Sequence, residues 1–251
     1  MVRKRYEIHI WGTVLFLDLS SASISEIDMD AAVKSVKSFV YEVDELFSTY
    51  KDGSFVSRLR GGEISIDACP ADLQEVWNLC AVARDLTGGA FDPWAVAGGF
   101  DPSGLVKGWA ADKCADMLVA AGAQHVQVNA AGDLTLRGGF LTAEGVKEPW
   151  KIGVVNPDNR QEVLRVFEIT DGLVRFRRGR NVNQAPVCVE VQLVDDELCV
   201  ASVSCLGVIM CRSPALSSVI FLSDIKDHLP HNRRIYRHVQ VAQILMRYLK
   251  L

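Results

Sequence analysis

Nowhere does this chain hold an uninterrupted apolar run of the roughly 20 residues a membrane-spanning helix needs. It has no two cysteines separated by two residues, no Gly-x-Gly-x-x-Gly and no Walker A loop. The opening MVRKRYEIHIWGTVLFLDLS starts basic, but it alternates like a strand and lacks a small-residue cleavage site. No signal peptide is read there, and the cytoplasm is the expected compartment. An excess of one charge is also missing: 27 Lys and Arg face 31 Asp and Glu, for a net −4. Nothing global draws the chain to nucleic acid or to an anionic membrane. Internal repeats are absent apart from one short echo, Phe-Asp-Pro, at 91–93 and 100–102. The seven cysteines form no zinc signature: Cys69, Cys80 and Cys114 are scattered, and Cys188, Cys199, Cys205 and Cys211 crowd the last third. In a reducing compartment disulfides are not expected. What remains is 251 residues, 49% of them apolar, enough for one large domain or two small ones.

Residues 6–18, YEIHIWGTVLFLD, alternate well enough to predict one strand. Residues 30–48 set Val33, Val36, Phe39, Val40, Val43, Leu46 and Phe47 at helical spacing, and Tyr-Lys-Asp-Gly-Ser then breaks the helix. Residues 70–86 predict a second helix opened by Pro70 and Asp72. Residues 107–121 predict a third, closed by Gly122. HVQVNAAGDLTLRGGF, 125–140, predicts two strands around Ala-Gly-Asp, and WKIGVVNP, 150–157, predicts another. Helices mixed with hairpin-like strands predict an α+β fold rather than repeating βαβ units. Past residue 171 the texture changes. Residues 171–251 carry 11 Lys and Arg, nine of them arginine, against 7 Asp and Glu, whereas the first 170 carry 16 against 24. The run RFRRGR, 175–180, predicts a solvated loop rather than a nucleic-acid patch. A strand over 217–230 and a helix over 233–251 are expected beyond it, with His228 and His231 as loop residues and poor packing throughout this tail.

Chemistry concentrates between residues 88 and 118. Proline follows both Asp92 and Asp101 and restrains each to extended backbone, so either carboxylate can accept donors in a fixed direction. Each alone is also an ordinary turn aspartate. Lys107 stands where a helix is expected to begin, and free N–H groups and the helix dipole favour anions there. A single lysine at such a place is commonly solvent-facing. Trp11 and Tyr50 could stack on a flat ring, or pack as core and surface aromatics.

In order, WGT at 11–13, VDELFSTYKDGSFVSRL at 43–59, LTGGAFDP at 86–93, DPSGLVKGWAAD at 101–112, VNAAGDLTLRG at 128–138 and PWKIGVVNPD at 149–158 resemble the ApbE-like FAD:protein FMN transferase family. The family pattern runs M-G-T, D-x-x-x-S-x-Y-x-x-x-S, G-A-F-D, D-x-G-G-x-x-K-G-x-x-x-D, N-x-G-G-D and W-x-v-x-I-x-x-P. The resemblance spans residues 10 to about 170. It implies a single ApbE-like, T-fold-related α+β flavin transferase domain, with 1–170 as the FAD-binding portion and 171–251 as an atypical C-terminal part. It implies an enzyme that uses Mg²⁺ and FAD, transfers FMN to a Thr or Ser hydroxyl of an acceptor protein, and releases AMP. Tyr50 would stack on flavin or adenine, and Trp11, where the family usually has Met, would line the same pocket. Ala90, Phe91 and Asp92 would form a binding turn, with Asp92 and Asp101 accepting hydrogen bonds from FAD. Gly104 would offer its carbonyl to Mg²⁺, and Lys107 would contact FAD near its phosphates.

The family's later motifs, A-T-S-G-x-x-E-R-G and H-I-x-D-P-x-T-G, are absent from 171–251, where the chain reads DGLVRFRRGRNVNQAP at 171–186. The Asp and Thr that complete the family's magnesium site cannot be placed. Two explanations stand. One is divergence into a non-catalytic FAD-binding module. The other is a shifted reading frame: joining the third base of each codon from Val174 onward to the first two of the next permits Ala-Val-Ser-Thr-Gly-Thr-Glu-Arg across 174–182. A further functional alternative is an FAD pyrophosphatase that releases FMN and AMP to water.

Overall fold

Two-residue periodicity builds the first strands, β1 (Val2–Ile10) and β2 (Thr13–Ser21). The computed structural model describes residues 1–86, 88–89, 91–155, 161–178, 187–193, 202–204 and 207–209. The single strand expected over 6–18 is a hairpin instead. Trp11 and Gly12 take φ of 55° and 67°, the type I′ geometry that matches strand twist, and Ile10 pairs with Thr13. The buried set changes from even positions, Ile8 and Ile10, to odd ones, Leu15, Leu17 and Leu19. That change of parity is the trace a two-residue turn leaves in a sequence.

α1 (Glu26–Phe47) begins four residues before its expected start, because Ser25 caps it by accepting the Asp28 N–H at 3.1 Å. It buries Met29, Val33, Val36, Val40, Val43 and Phe47 along one face. The break after it leads into α2 (Phe55–Arg60) and one 3-10 turn (Ile66–Ala68). Ser54 caps α2, accepting from the Ser57 N–H at 3.0 Å and donating to the Ser48 carbonyl at 2.6 Å. α3 (Ala71–Leu86) matches its expectation, and α4 (Ser103–Ala120) starts four residues before the expected 107.

β3 (His125–Ala130) and β4 (Asp133–Arg137) form the hairpin expected around Ala-Gly-Asp. β5 (Phe140–Leu141) pairs with β6 (Lys147–Glu148), and β7 (Trp150–Val155) with β8 (Val163–Ile169). β9 (Gly172–Arg178) then pairs with β4 on one side and β10 (Val187–Leu193) on the other. The result is an antiparallel sheet in the order β1-β2-β3-β4-β9-β10. Residues 175–178 of RFRRGR therefore lie in a strand and not in the expected loop, because they pair with residues 187–190 of β10. β11 (Ser202–Ser204) and β12 (Gly207–Ile209) pair with each other. The expectations for 217–230 and 233–251, with His228 and His231, lie outside the described residues.

α1 and α4 cover one face of the sheet. Ala111, Cys114, Ala115 and Leu118 of α4 pack with Leu15, Leu17, Leu19, Val126 and Val128. Thr135 donates to Asp112 at 2.6 Å and ties α4 to β4. A second cluster joins the four helices through Phe47, Val56, Leu73, Val76, Cys80, Phe100, Val106 and Trp109. A third packs Leu134, Leu136 and Val174 against Trp150, Ile152, Phe167 and Ile169. Leu173 and Val174, inside the tail expected to pack poorly, are both buried. No helix of the described residues is long and apolar enough to cross a membrane.

Ala131 adopts φ 57° in the β3–β4 turn, where an L side chain meets the following carbonyl. Ala131→Gly is expected to stabilise the protein by about 1 kcal/mol, less the extra freedom glycine gains in the unfolded chain. Urea unfolding should show a higher midpoint at unchanged slope; a lower midpoint would mean the turn does not carry this strain.

Candidate functional site

The stretch between Leu86 and Ser103 holds most of the expected chemistry, and it is held from several sides. The Gly88 and Gly89 N–H groups donate to the Asp85 and Arg84 carbonyls at 3.1 and 2.9 Å and fix one stem; bonds at Asp101 fix the other. Asp92 Oδ1 accepts the Trp94 N–H at 2.9 Å, and Asp101 Oδ1 accepts the Ser103 N–H at 2.9 Å. These are matching Asx turns, the local bond a short carboxylate makes with its own backbone two residues on. The Asp101 N–H donates to the Pro93 carbonyl at 2.8 Å, so the two Phe-Asp-Pro turns are joined directly. Each carboxylate is half-buried and uses one oxygen this way. Among the described residues the second oxygen of each is left as an acceptor.

Phe91 lies over the first turn of α4. A Cβ at Gly104 would come within 3.1 Å of the Phe91 ring, so the glycine permits the approach. Phe100 is buried and forms an aromatic group with Trp77 at 4.6 Å and Trp94 at 5.2 Å between centroids. The Arg84 guanidinium lies 5.1 Å from the Trp94 ring centroid. Arg60, from the end of α2, donates to the Gly98 carbonyl at 2.7 Å and the Ala97 carbonyl at 2.9 Å. No motif marks Arg60, Trp77 or Trp94 in the sequence; the pair Gly98-Gly99 is the one local hint that something approaches the loop closely.

The structure thus brings Phe91, Asp92, Asp101 and Gly104 together. Lys107 is corrected in position: it is the fifth residue of α4, not its first, because Pro102 and Gly104 hide the helix start from a propensity reading. The leading Ser103 N–H is already satisfied by Asp101. Lys107 lies one turn beyond Gly104, is half-buried, and has no ion-pair partner among the described residues. Trp11 is half-buried at the seam of the sheet core and the helical core. Beside it, a hollow of about 420 Å³ is lined by His9, Ile10, Gly12, Thr13 and Val14. Tyr50, between α1 and α2, is 96% exposed, so its ring packs against none of these groups. Ala90 lies outside the described residues.

Among the described residues no three His, Cys, Asp or Glu side chains converge on a point that could hold a metal. The described part by itself does not make up a magnesium centre. Cys69, Cys80 and Cys114 are buried free thiols. Burial, and secondarily the Asp101 charge, push Cys80 up to about 12. Burial and Asp112 do the same to Cys114, also to about 12, and burial raises Cys69. All three are expected to resist iodoacetamide at pH 8 in the folded protein and to react on unfolding, read by mass spectrometry of labelled peptides. Rapid labelling of Cys80 in the native chain would contradict its burial.

The sequence model of the ApbE family matches residues 96–175, a stretch that includes Asp101, Gly104 and Lys107. The fold is similar to that of the flavin transferase ApbE from Vibrio cholerae, with 19% identity, a TM-score of 0.59, and 74% of this chain and 75% of that one covered. The Pseudomonas stutzeri flavinyl transferase ApbE gives 16% identity and a TM-score of 0.59, covering 70% and 68%. The ApbE protein of Thermotoga maritima gives 16% and 0.56, covering 77% and 76%. No curated protein matches the chain by sequence. At these identities the likenesses establish the fold, and the family match adds the segment around α4: the chain is ApbE-like, an α+β protein with the fold of the ApbE flavin transferases.

Proposed function

We propose that the chain builds the FAD site of a flavin transferase, which moves FMN from FAD to a Thr or Ser hydroxyl of an acceptor protein in the presence of Mg²⁺ and releases AMP. The observation that carries this reading is the 2.8 Å bond from the Asp101 N–H to the Pro93 carbonyl. It makes one preformed unit of two carboxylate turns and sets that unit against the helix that bears Lys107.

Asp92 and Asp101 accept N–H or O–H donors of FAD, and their Asx turns orient them before the ligand arrives, which lowers the ordering cost of binding. Lys107 neutralises charge on the diphosphate, and Phe91 and Trp11 supply apolar and aromatic surface for the rings. Tyr50, almost fully in solvent, closes over the ligand by stacking. Ala90, outside the described residues, is assigned to the same FAD-binding region by the resemblance. In the reaction the acceptor hydroxyl oxygen bonds to the FMN phosphorus and gives up its proton to solvent, the P–O bond to the AMP phosphate breaks, and the bridging oxygen leaves with AMP. Phosphoryl transfer of this kind is mostly alignment and charge stabilisation. Gly104 is assigned as one carbonyl ligand of Mg²⁺; since the described residues do not complete that site, no step is routed through it. A cytoplasmic location belongs to the same proposal.

A second reading, a module that binds FAD without transferring FMN, is favoured by the end of the family match at residue 175, where the later motifs are also missing. Incubation with FAD, Mg²⁺ and an acceptor protein separates the cases. Flavin fluorescence on the denatured acceptor supports transfer. Intact bound FAD supports the module, and free FMN with AMP supports hydrolysis. Absence of FAD binding would overturn the site.

A further inference from the structure

We propose that Arg60 is a positioning residue for the flavin site, presetting Asp92 and Asp101 by pinning the tip of the loop between them. This rests on the flavin reading above. The two ends of the 91–101 loop are well held: Phe91 lies against Gly104, Trp94 and Phe100 pack with Trp77, and the Asp101 N–H reaches Pro93. The tip is different. Ala95, Val96, Ala97 and Gly98 are exposed, and Gly98 and Gly99 take φ of 85° and 90°.

The backbone of the tip makes two local turn bonds, Ala95 N–H to the Asp92 carbonyl at 3.3 Å and Gly99 N–H to the Val96 carbonyl at 3.0 Å. Among the described residues, the hydrogen bonds that tie it to parts of the fold outside the 91–101 loop are the two from Arg60, to Ala97 and Gly98. They connect the end of α2, on the helical core, to the midpoint between the two carboxylates. A fork with fixed donor geometry can bridge two successive carbonyls, which a lysine ammonium cannot do in the same way. Gly98 is matched to the fork: a Cβ there would meet Nη2 of Arg60 well inside contact distance. Arg60 therefore acts through the loop and not on the ligand, and releasing it leaves both carboxylates attached but less well aligned.

The test uses the full chain and three variants, Arg60→Ala, Arg60→Lys and Gly98→Ala. Hydrogen exchange of the 94–101 amides is measured without ligand, and FAD affinity by quenching of flavin fluorescence. Arg60→Ala and Gly98→Ala are expected to speed exchange in 94–101 while leaving α1 and β2 protected, and to weaken FAD binding about tenfold. Arg60→Lys should resemble Arg60→Ala, since it retains charge and loses the fork. Wild-type behaviour of Arg60→Lys in both measurements would mean a plain cation suffices and would overturn the proposal. So would unchanged exchange in Arg60→Ala, or unchanged FAD affinity with a loosened loop. If the wild-type chain binds no FAD, the flavin reading fails, and exchange still decides whether Arg60 holds the loop.

Discussion

Asp101→Asn is expected to weaken FAD binding by about 10- to 100-fold while thermal unfolding stays within a degree or two, the loss matching a hydrogen bond to a charged group. Asp101→Ala should lose the same affinity and also about 1 kcal/mol of stability, the usual net worth of one hydrogen bond. The two differ because Asp101 does two things. Its Oδ1 accepts the Ser103 N–H at 2.9 Å at the entrance to α4. An asparagine carbonyl can keep that bond. Its NH₂ group then occupies the place of the second carboxylate oxygen, where a donor meets the donors of the ligand. Calorimetry or fluorescence titration gives the affinity, and melting curves give the stability. Full affinity in the asparagine variant would reduce Asp101 to an Asx turn, and the proposed flavin site would lose one of its two carboxylates.

How far the site could be read from the sequence follows from how local each device is. The Phe-Asp-Pro echo was legible, since proline restrains the residue before it and the Asx turn spans two residues. The bond from Asp101 to Pro93 was not, because it joins residues eight apart through a loop of mixed turns. Arg60 was invisible for the same reason: it lies on another helix, 38 residues from Gly98. α1, α3 and the β3–β4 hairpin were legible as patterns of period and turn. The β1–β2 turn was missed because Trp-Gly carries none of the Asn-Gly signal of type I′ turns, although the parity change from Ile10 to Leu15 records it. α2 was missed because six residues give too few turns for a periodic face. The partnership of β9 with β4 had no local trace, since it closes over the whole β5–β8 excursion.

The largest change is expected from the tail. Leu173 and Val174 are buried and consecutive, so β9 enters a sheet whose two faces are both covered at that point. A strand covered on both faces calls for a continuous run of apolar or small residues. Directly after these two the chain supplies arginine at 175, 177 and 178, and the family match stops at 175. The shifted frame permits Ala-Val-Ser-Thr from codon 174 and then Glu-Arg at the family's spacing. Resequencing the gene should therefore reveal an intact tail in the other frame, and the intact mass of the protein from its native source should match it. Restoring that frame should raise FMN transfer by about 10³-fold, the scale of the charge stabilisation a bound metal contributes. FAD affinity should change much less, because the 91–107 unit precedes the shift. A gene that reads as this chain does, with no family tail in either other frame, would overturn the frame shift; the chain would then stand as a divergent relative, binding FAD through its first 170 residues without transfer.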